Sequence, residues 1–372
     1  LKTKKTNIIP GTWIGAGDIH LGCKLYNKPE LEEDIKQEFL KLCEVAVDIG
    51  AEYLVIAGDL FDTNKPTAAL VDFVARALKK LRKAGVTPLA ISGDHDKTID
   101  EKNWCQIAGF DPISSVENLV GIDYNDVPEQ VMEALTRAYN EKTEWVFLHG
   151  MVKELWPFCE EKKLLPVREF FLEHARPALR GFVLGDIHKP FEDTFTNPAT
   201  GQKVWCGYTG SLGVTRTDEL QKKGYLHWNG TELKRIPYEL QRKFIEITLS
   251  NEWFDAMSEA EKLKSIEELN SNKNKPIVIF WYRPDIAHRL NELAFLFQHA
   301  IVHPAKLKAD GSKDLVVNRS ELKTEDKIDS SLRQVTCLRS ERTFDLSRRL
   351  VRDVDGAKPI LDAFKEEALR ET

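Results

Sequence analysis

The sequence predicts an α/β protein with a second, smaller α+β unit and a helical tail. Three observations lead there. Short apolar runs alternate with amphipathic stretches over the first two thirds of the chain, the pattern changes style near residue 240, and a polar stretch at 309–335 precedes a last segment of helical spacing. At 372 residues the chain also exceeds the size at which a single core stops growing.

The elements follow in order. "TWIGAGDIH" reads as a strand ending in a loop, residues 31–49 as a helix with apolar positions at helical spacing, and "YLVIAGDLFD" as a second strand and loop. "AALVDFVARALKKLRKAG" is a helix closed by Gly85, and "VTPLAISGDHD" a third strand and loop. Strand alternating with helix signals an α/β layer of buried parallel strands. The strand "NLVGI", a helix near 128–140, and the strands "EWVFLHG" and "RGFVLGDIH" come next, and "KVWCGYTGS" with "GYLHWN" closes the first domain, set at 1–238.

Residues 239–308 form the smaller α+β unit: "KFIEITLS", a charged helix, "KPIVIFWYR", the helix "IAHRLNELAFLFQHA" and "IVHPAKLKA". Lys, Asp and Ser dominate 309–335, the mark of a linker. The tail at 336–372 regains helical spacing, with Leu346, Leu350 and Val351 and later Ile360, Leu361 and Phe364, a pattern that packs on its own domain or docks a partner.

Bulk numbers narrow the class. With 42% hydrophobic and 30% charged residues the chain has an ordinary globular composition. Its longest apolar runs, such as "PIVIFWY", fall far short of the roughly 20 residues a membrane span requires. The chain opens with no charged segment followed by an apolar one, so secretion is not expected, and Leu1 is not a natural initiator. Six scattered cysteines (Cys23, Cys43, Cys105, Cys159, Cys206 and Cys337) form no CxxC pair and read as reduced thiols of a cytoplasmic or nucleoid-associated protein. A net charge of −6 argues against a surface wholly given to nucleic acid, while leaving room for a local basic groove.

Five strand-ending loops carry ligand-type residues: Asp18 and His20, Asp59 and Asp62, Asp94 with His95 and Asp96, His149, and Asp186 with His188. Any one of these is weak, since Gly-Asp after a strand is ordinary turn chemistry and a lone histidine is usually structural. Together, in order, they are specific. Open α/β sheets place ligands beyond the carboxyl ends of their strands, so one pocket can collect all five groups. Oxygen and imidazole donors without thiolates suit manganese, iron or zinc, and a bridging carboxylate can hold two ions. Such a centre lowers the pKa of a bridging water and stabilises attacking and leaving oxygens during displacement at phosphorus. His174, His227, His288, His299 and His303 have no such company and read as structural or surface residues, and Cys23 as no ligand.

In this order D-x-H, G-D-x-x-D, G-x-H-D, H-G and G-x-x-H resemble the calcineurin-like metallophosphoesterases. Within them, "AGDLFD", "VLGDIHKP" and "YTGSLGVTRTDELQKKGYLHW" resemble the SbcD, or meiotic-recombination-eleven, type of DNA-repair nuclease subunit. The resemblance is good over about 12–230 and covers the smaller unit by architecture and the tail by position alone. It implies a layered β-sandwich flanked by helices, with a capping domain that guides DNA. It also implies that Asp18, His20 and His188 hold one metal, that Asp59 bridges, and that Asp94, His149 and Asp186 hold the second. The metals would be two divalent ions, manganese first, with magnesium, iron or zinc as alternatives.

By the same resemblance His95 and Asp96 would be the catalytic pair, His95 assisting the leaving oxygen and Asp96 orienting its imidazole, while Asp62 buttresses the loop. The implied activity is a 3′-to-5′ exonuclease and single-strand endonuclease acting on DNA, homodimeric and bound through its tail to an SbcC-type coiled-coil ATPase. Lys2, Lys4, Lys5, Lys222, Lys223, Arg242 and Lys243 are the candidate phosphate contacts.

Two positions depart from the pattern. "GDHD" stands where the family usually has G-N-H-D, and "GDIH" where it has G-H-x-H, so Asp94 replaces an amide and Asp186 an imidazole. Four aspartates would then balance two divalent ions instead of two, binding the second ion more tightly and making it a weaker Lewis acid. The alternatives are a phosphatase or nucleotide phosphodiesterase on the same fold, or a catalytically weak scaffold subunit that has lost a metal.

Overall fold

A computed structural model describes residues 7–25, 28–97, 103–155, 163–216, 219, 222–270 and 273–307. The expected linker and tail, Lys2, Lys4, Lys5, Cys159 and Cys337 lie outside the described residues.

The chain divides into two compact units, passing from the first to the second between Lys243 and Phe244. In the first, eleven strands form two sheets. They are β1 (Ile9–Ala16), β2 (Ala51–Ala57), β3 (Thr87–Ile91), β4 (Asp111–Pro112), β5 (Leu119–Ile122), β6 (Trp145–His149), β7 (Gly181–Gly185), β8 (Phe191–Thr196), β9 (Lys203–Tyr208), β10 (Lys223–Trp228) and β11 (Leu233–Tyr238). One sheet has the order β11-β10-β1-β2-β3-β4 and the other β5-β6-β7-β9-β8. Strands β1 to β4 are parallel, as are β5, β6, β7 and β9; β10 and β11 join the first sheet antiparallel and β8 the second.

The two sheets face each other across a dry layer. Trp13, Val55, Leu89 and Ile91 from one meet Trp145, Phe147 and Val183 from the other. The Trp13 and Trp145 rings pack edge to face with centroids 5.2 Å apart, an arrangement that suits the ring quadrupoles. The outer faces are covered by helices. Helix α1 (Pro29–Asp48) buries Leu31, Ile35, Phe39, Leu42 and Ala46 along one stripe, and α2 (Ala68–Ala84) starts where the Thr67 side chain accepts from Leu70 N and stops at Gly85, whose φ of 96° suits a residue without Cβ. After α3 (Trp104–Ala108), helices α4 (Pro128–Ala138) and α5 (Val167–His174) cover the second sheet, with Val131, Leu135, Phe170 and Phe171 in its core. The structure thus shows the α/β layers expected from the pattern and the layered sandwich that the resemblance implies. The sequence pattern carries no signal for strands β4, β8 and β11 or for helices α3 and α5.

The second unit has the parallel sheet β12 (Phe244–Thr248), β13 (Ile277–Tyr282) and β14 (Ile301–Lys306), with helices α6 (Asn251–Ala256) and α7 (Glu259–Leu269). Its core is Ile245, Phe254, Ile266, Val278, Phe280, Ile286, Leu293 and Leu296. The expected α-helix after "PIVIFWYR" is instead a run of 3-10 turns over Pro284–Gln298. Apolar spacing specifies a buried face and does not fix whether hydrogen bonds close over three residues or four. No helix among the described residues is long and apolar enough to cross a membrane.

Candidate metal centre

Strands β1, β2 and β3 of one sheet and β6 and β7 of the other deliver their C-terminal ends to one place. Asp18 and His20 follow β1, Asp59 and Asp62 follow β2, Asp94 to Asp96 follow β3, His149 ends β6, and Asp186 and His188 follow β7. Two bonds tie the ends together across the sheets: His149 Nδ1 donates to Ala57 O at 2.9 Å, and Asp186 N donates to Asp18 Oδ1 at 2.8 Å. The backbone is strained here. Among the described residues, positive φ outside glycine occurs only at Asp18 (48°), His20 (51°), Asp59 (50°) and Asp186 (94°). Gly93 is required for closeness, since a Cβ there would run into Oδ1 and the backbone nitrogen of Asp59.

The donor atoms converge. The Nε2 atoms of His20 and His188 stand 3.0 Å apart, His20 Nε2 lies 3.5 Å from Asp59 Oδ2, and His149 Nε2 lies 3.6 Å from both Asp59 Oδ1 and Asp94 Oδ1. Single ligand atoms of Asp18, His20 and His188 fall within 4.8 Å of one another, as do those of Asp18, Asp59 and His149 and those of His20, Asp59 and His95. Asp18 and Asp59 therefore join neighbouring groups. All of these except His95 are buried.

Two of the imidazoles, His149 and His188, are aimed by a hydrogen bond at the outer nitrogen, and His20 has a carboxylate beside its own. His149 Nδ1 is bound to the Ala57 carbonyl, His20 Nδ1 lies 3.5 Å from Asp62 Oδ1, and His188 Nδ1 is bound to Glu219 Oε1. A ring that gives its Nδ1–H to such a partner presents an Nε2 lone pair inward, which is how metal-binding histidines are held.

Charge in the cluster asks for a cation. Burial pushes Asp59 well above the usual carboxylate range against the pull of His149, and the carboxylates of Asp94, Asp96 and Asp18 push it further. Burial likewise raises Asp186 to about 6, opposed by His149 and His188 and supported by Asp94 and Asp18. At Asp94 burial is overcome by the contact with His149 and the charges of His95, His149 and His20, so that carboxyl sits below its usual range. Burial lowers His149, but Asp59, Asp94, Asp18 and Asp186 outweigh it and hold the ring well above its ordinary value.

Two atoms test whether divalent ions fit. Among the described residues, Asp18 Oδ2 and His149 Nε2 are buried with no hydrogen-bond partner, a costly state for polar atoms unless a metal completes it. Carboxylate and imidazole donors without thiolate suit a divalent first-row ion or magnesium. The residues present fit divalent metal.

A model of the calcineurin-like phosphoesterase family matches residues 14–294, most of the chain. The chain belongs to that family. Among curated relatives, this phosphoesterase is similar to the DNA double-strand break repair protein Mre11 of Archaeoglobus fulgidus, 32% identical over 120 residues, or 32% of this chain and 26% of that protein. The protein of the same description from Sulfurisphaera tokodaii is 30% identical over 161 residues, covering 38% of this chain and 41% of its own length. The one from Methanococcus maripaludis is 22% identical over 348 residues, covering 83% and 88%. The phosphoesterase thus matches well under two thirds of the length of the first two.

Some expected roles change in this setting. Asp96, read as orienting His95, is fully buried and accepts from the backbone nitrogens of Leu60 (3.1 Å), Phe61 (3.0 Å) and Gly93 (3.0 Å), so it pins the β2 and β3 loops together. His95 is oriented instead by Asp62, whose carbonyl oxygen accepts from His95 Nδ1 at 2.6 Å. Lys223 is not a phosphate contact. It is 3% exposed, and its ammonium donates to Ser211 Oγ at 2.6 Å and Glu219 Oε2 at 3.3 Å. Arg242 is likewise committed, to both Asp34 oxygens (2.7 and 3.2 Å) and the Lys275 carbonyl. Lys222 and Lys243 are exposed.

Sequence reasoning passed over Glu219 and Thr215, which reach His188 only through the fold. Burial would raise the Glu219 carboxyl, but His188, Lys223 and the Thr215 backbone hold it well below the usual range. The one available signal was the Glu219-to-Lys223 spacing of four.

Proposed function

We propose that this chain is a two-metal DNA nuclease, acting as a 3′-to-5′ exonuclease and on single strands as an endonuclease. The observation that carries the reading is the inward convergence of three imidazoles, two of them hydrogen-bonded at the outer nitrogen, on the carboxylates of Asp18 and Asp59. Similarity to proteins described as DNA double-strand break repair proteins supports DNA as the substrate.

In this reading Asp18, His20 and His188 would hold one ion, His149 with Asp94 and Asp186 would hold the other, and Asp59 would serve both, with manganese as the preferred metal. When bound, the ions supply Lewis-acid activation of water and neutralise charge on the phosphate. The protein's own residues do the rest. His95 gives its Nδ1–H to the Asp62 carbonyl and so keeps Nε2 directed at the centre, where it holds a proton for the departing sugar oxygen. Asp62 places that ring, and the buried walls around Asp18 and His149 exclude bulk water.

The second unit serves as the DNA-guiding cap, Lys222 and Lys243 contact phosphates, and the protein works inside the cell. It does so as a homodimer whose tail binds a coiled-coil ATPase of the SbcC type. End-labelled duplex DNA incubated with manganese, magnesium or chelator tests the core of this reading. Manganese-dependent shortening lost in His95→Ala is expected; intact duplex beside hydrolysis of small phosphate esters would make the chain a phosphatase.

A further inference from the structure

We infer that Glu219, backed by Lys223, is a positioning residue that locks His188 in the tautomer able to bind a metal. The inference rests on the metal-centre reading above for its consequence, and on contacts outside that centre for its argument.

Glu219 is 3% exposed, and its two oxygens face different ways. Oε1 takes the His188 Nδ1–H and lies 3.1 Å from Thr215 Oγ1. Oε2 is met by Ser211 Oγ at 2.9 Å, Thr215 N at 3.0 Å, Thr215 Oγ1 at 3.0 Å and Lys223 Nζ at 3.3 Å. Lys223 in turn bonds Ser211 Oγ at 2.6 Å, so the carboxylate is clamped from strand β10 and from the segment after β9 together. Thr215 Oγ1 is also 3.0 Å from His188 Nδ1, which places a second oxygen beside the same ring nitrogen.

A buried ion pair is a poor stabiliser, because desolvating both charges offsets most of their attraction. What this pair offers is direction. Two oxygens, Glu219 Oε1 and Thr215 Oγ1, stand beside His188 Nδ1, and a carboxylate can only accept. The proton therefore resides on Nδ1 and the lone pair on Nε2, facing His20 Nε2 at 3.0 Å. The ammonium of Lys223 balances the carboxylate, so the ring gains a strong acceptor without a further net negative charge beside the aspartates.

The other two imidazoles are held differently, His20 beside the Asp62 carboxylate at 3.5 Å and His149 by a neutral carbonyl. A ring hydrogen-bonded to a carboxylate is the more basic ligand. Glu219 thus makes His188 a more basic ligand than His149 and strengthens the site that includes it.

Two measurements test the proposal. In metal-free wild-type protein labelled with ¹⁵N-histidine, long-range ¹H–¹⁵N correlation reads the His188 tautomer; a proton on Nδ1 is expected, and a proton on Nε2 overturns the proposal. Equilibrium dialysis with manganese then compares wild type with Glu219→Gln and with the double variant Glu219→Gln/Lys223→Met, which removes both buried charges together. Affinity for one of the two ions is expected to fall about ten- to a hundredfold in each, while the other ion is bound as in wild type. Wild-type affinity in a folded double variant would make the pair merely structural and overturn the role. A wild-type protein that binds no manganese, yet carries its His188 proton on Nδ1, overturns the metal-centre reading alone and leaves the positioning by Glu219 standing.

Discussion

The Nε2 atoms of His20 and His188 face each other at 3.0 Å although 168 residues separate the two rings in the chain. His95 stands beside them, its ring centroid 5.0 Å from that of His20 and edge-on to it, bound through Nδ1 to the Asp62 carbonyl and less buried than the other rings. Replacing it should separate chemistry from metal binding. His95→Ala is expected to lower duplex degradation by about 10²- to 10⁴-fold, the usual worth of a proton donor, with bound metal unchanged. Loss of metal in parallel with activity would make His95 a ligand instead.

Asp96 predicts the opposite profile. It sits at zero exposure and satisfies three backbone N–H groups from two loops. Asp96→Ala leaves those donors buried and unpaired, at about 1–3 kcal/mol for each that finds no water. A loss near 3 kcal/mol in urea unfolding is expected, with Asp96→Asn falling between that and wild type. Full stability in the alanine variant would mean that water replaces the carboxylate.

The contrast between these neighbours shows what was legible in the sequence. The five ligand-bearing loops were, because each follows a strand whose apolar run announces itself, and parallel strands bring such ends together. Which side chain of "GDHD" faces the centre was not, because adjacent residues in a tight turn diverge by geometry that composition does not encode. Lys223 looked like a surface charge in "LQKKGY" and is buried; Lys222 beside it is exposed. Alternation in a strand decides such a pair, and the register of β10 against β1 follows from long-range pairing. Strand β8 escaped notice because five of its six residues are exposed and it carries no apolar face.

Removing metal should make the protein unusually sensitive to rising pH. Asp59 and Asp186 are raised above the ordinary carboxylate range, by burial first, and His149 is held above its ordinary value because its acidic neighbours outweigh burial. For each, the folded state binds protons more tightly than the unfolded one, so the stability they contribute is full at low pH and fades as pH rises through the folded pKa. For Asp186 that window runs from 3.8 to about 6. Asp94 shifts the other way, and its contribution is already complete above 3.8. Thermal unfolding of chelated protein is therefore expected to show a falling midpoint from pH 4 to 7, recovered by manganese at pH 7. A midpoint that rises over this range would remove the electrostatic account.

Gly93→Ala tests the closeness of the β3 loop to Asp59. A methyl group there has no room beside Asp59 Oδ1 and the Asp59 backbone nitrogen, so the carboxylate must move. Bound manganese is expected to fall to one ion or fewer per chain, with a stability loss of about 1–3 kcal/mol from the crowding. Two ions retained at wild-type affinity would show that Asp59 does not bridge.

Asp94 bears on how strongly the second ion is held and how it acts. Its Oδ1 lies 3.6 Å from His149 Nε2 and its Oδ2 4.0 Å from His95 Nε2, so its charge falls between the proposed ligand and the proposed proton donor. Asp94→Asn keeps the shape and removes one negative charge from a cluster that already includes Asp18, Asp59 and Asp186. Manganese affinity at the site proposed to include His149 is expected to fall, on the order of tenfold for each 1.4 kcal/mol of lost attraction. The ion that does bind faces fewer carboxylates and polarises its surroundings more, so the rate measured under saturating manganese should reach its plateau at lower pH than in wild type. Affinity and profile move in opposite senses, which separates charge from packing: a folded variant with weaker binding and an unmoved pH profile would show that Asp94 holds the ion without tuning it.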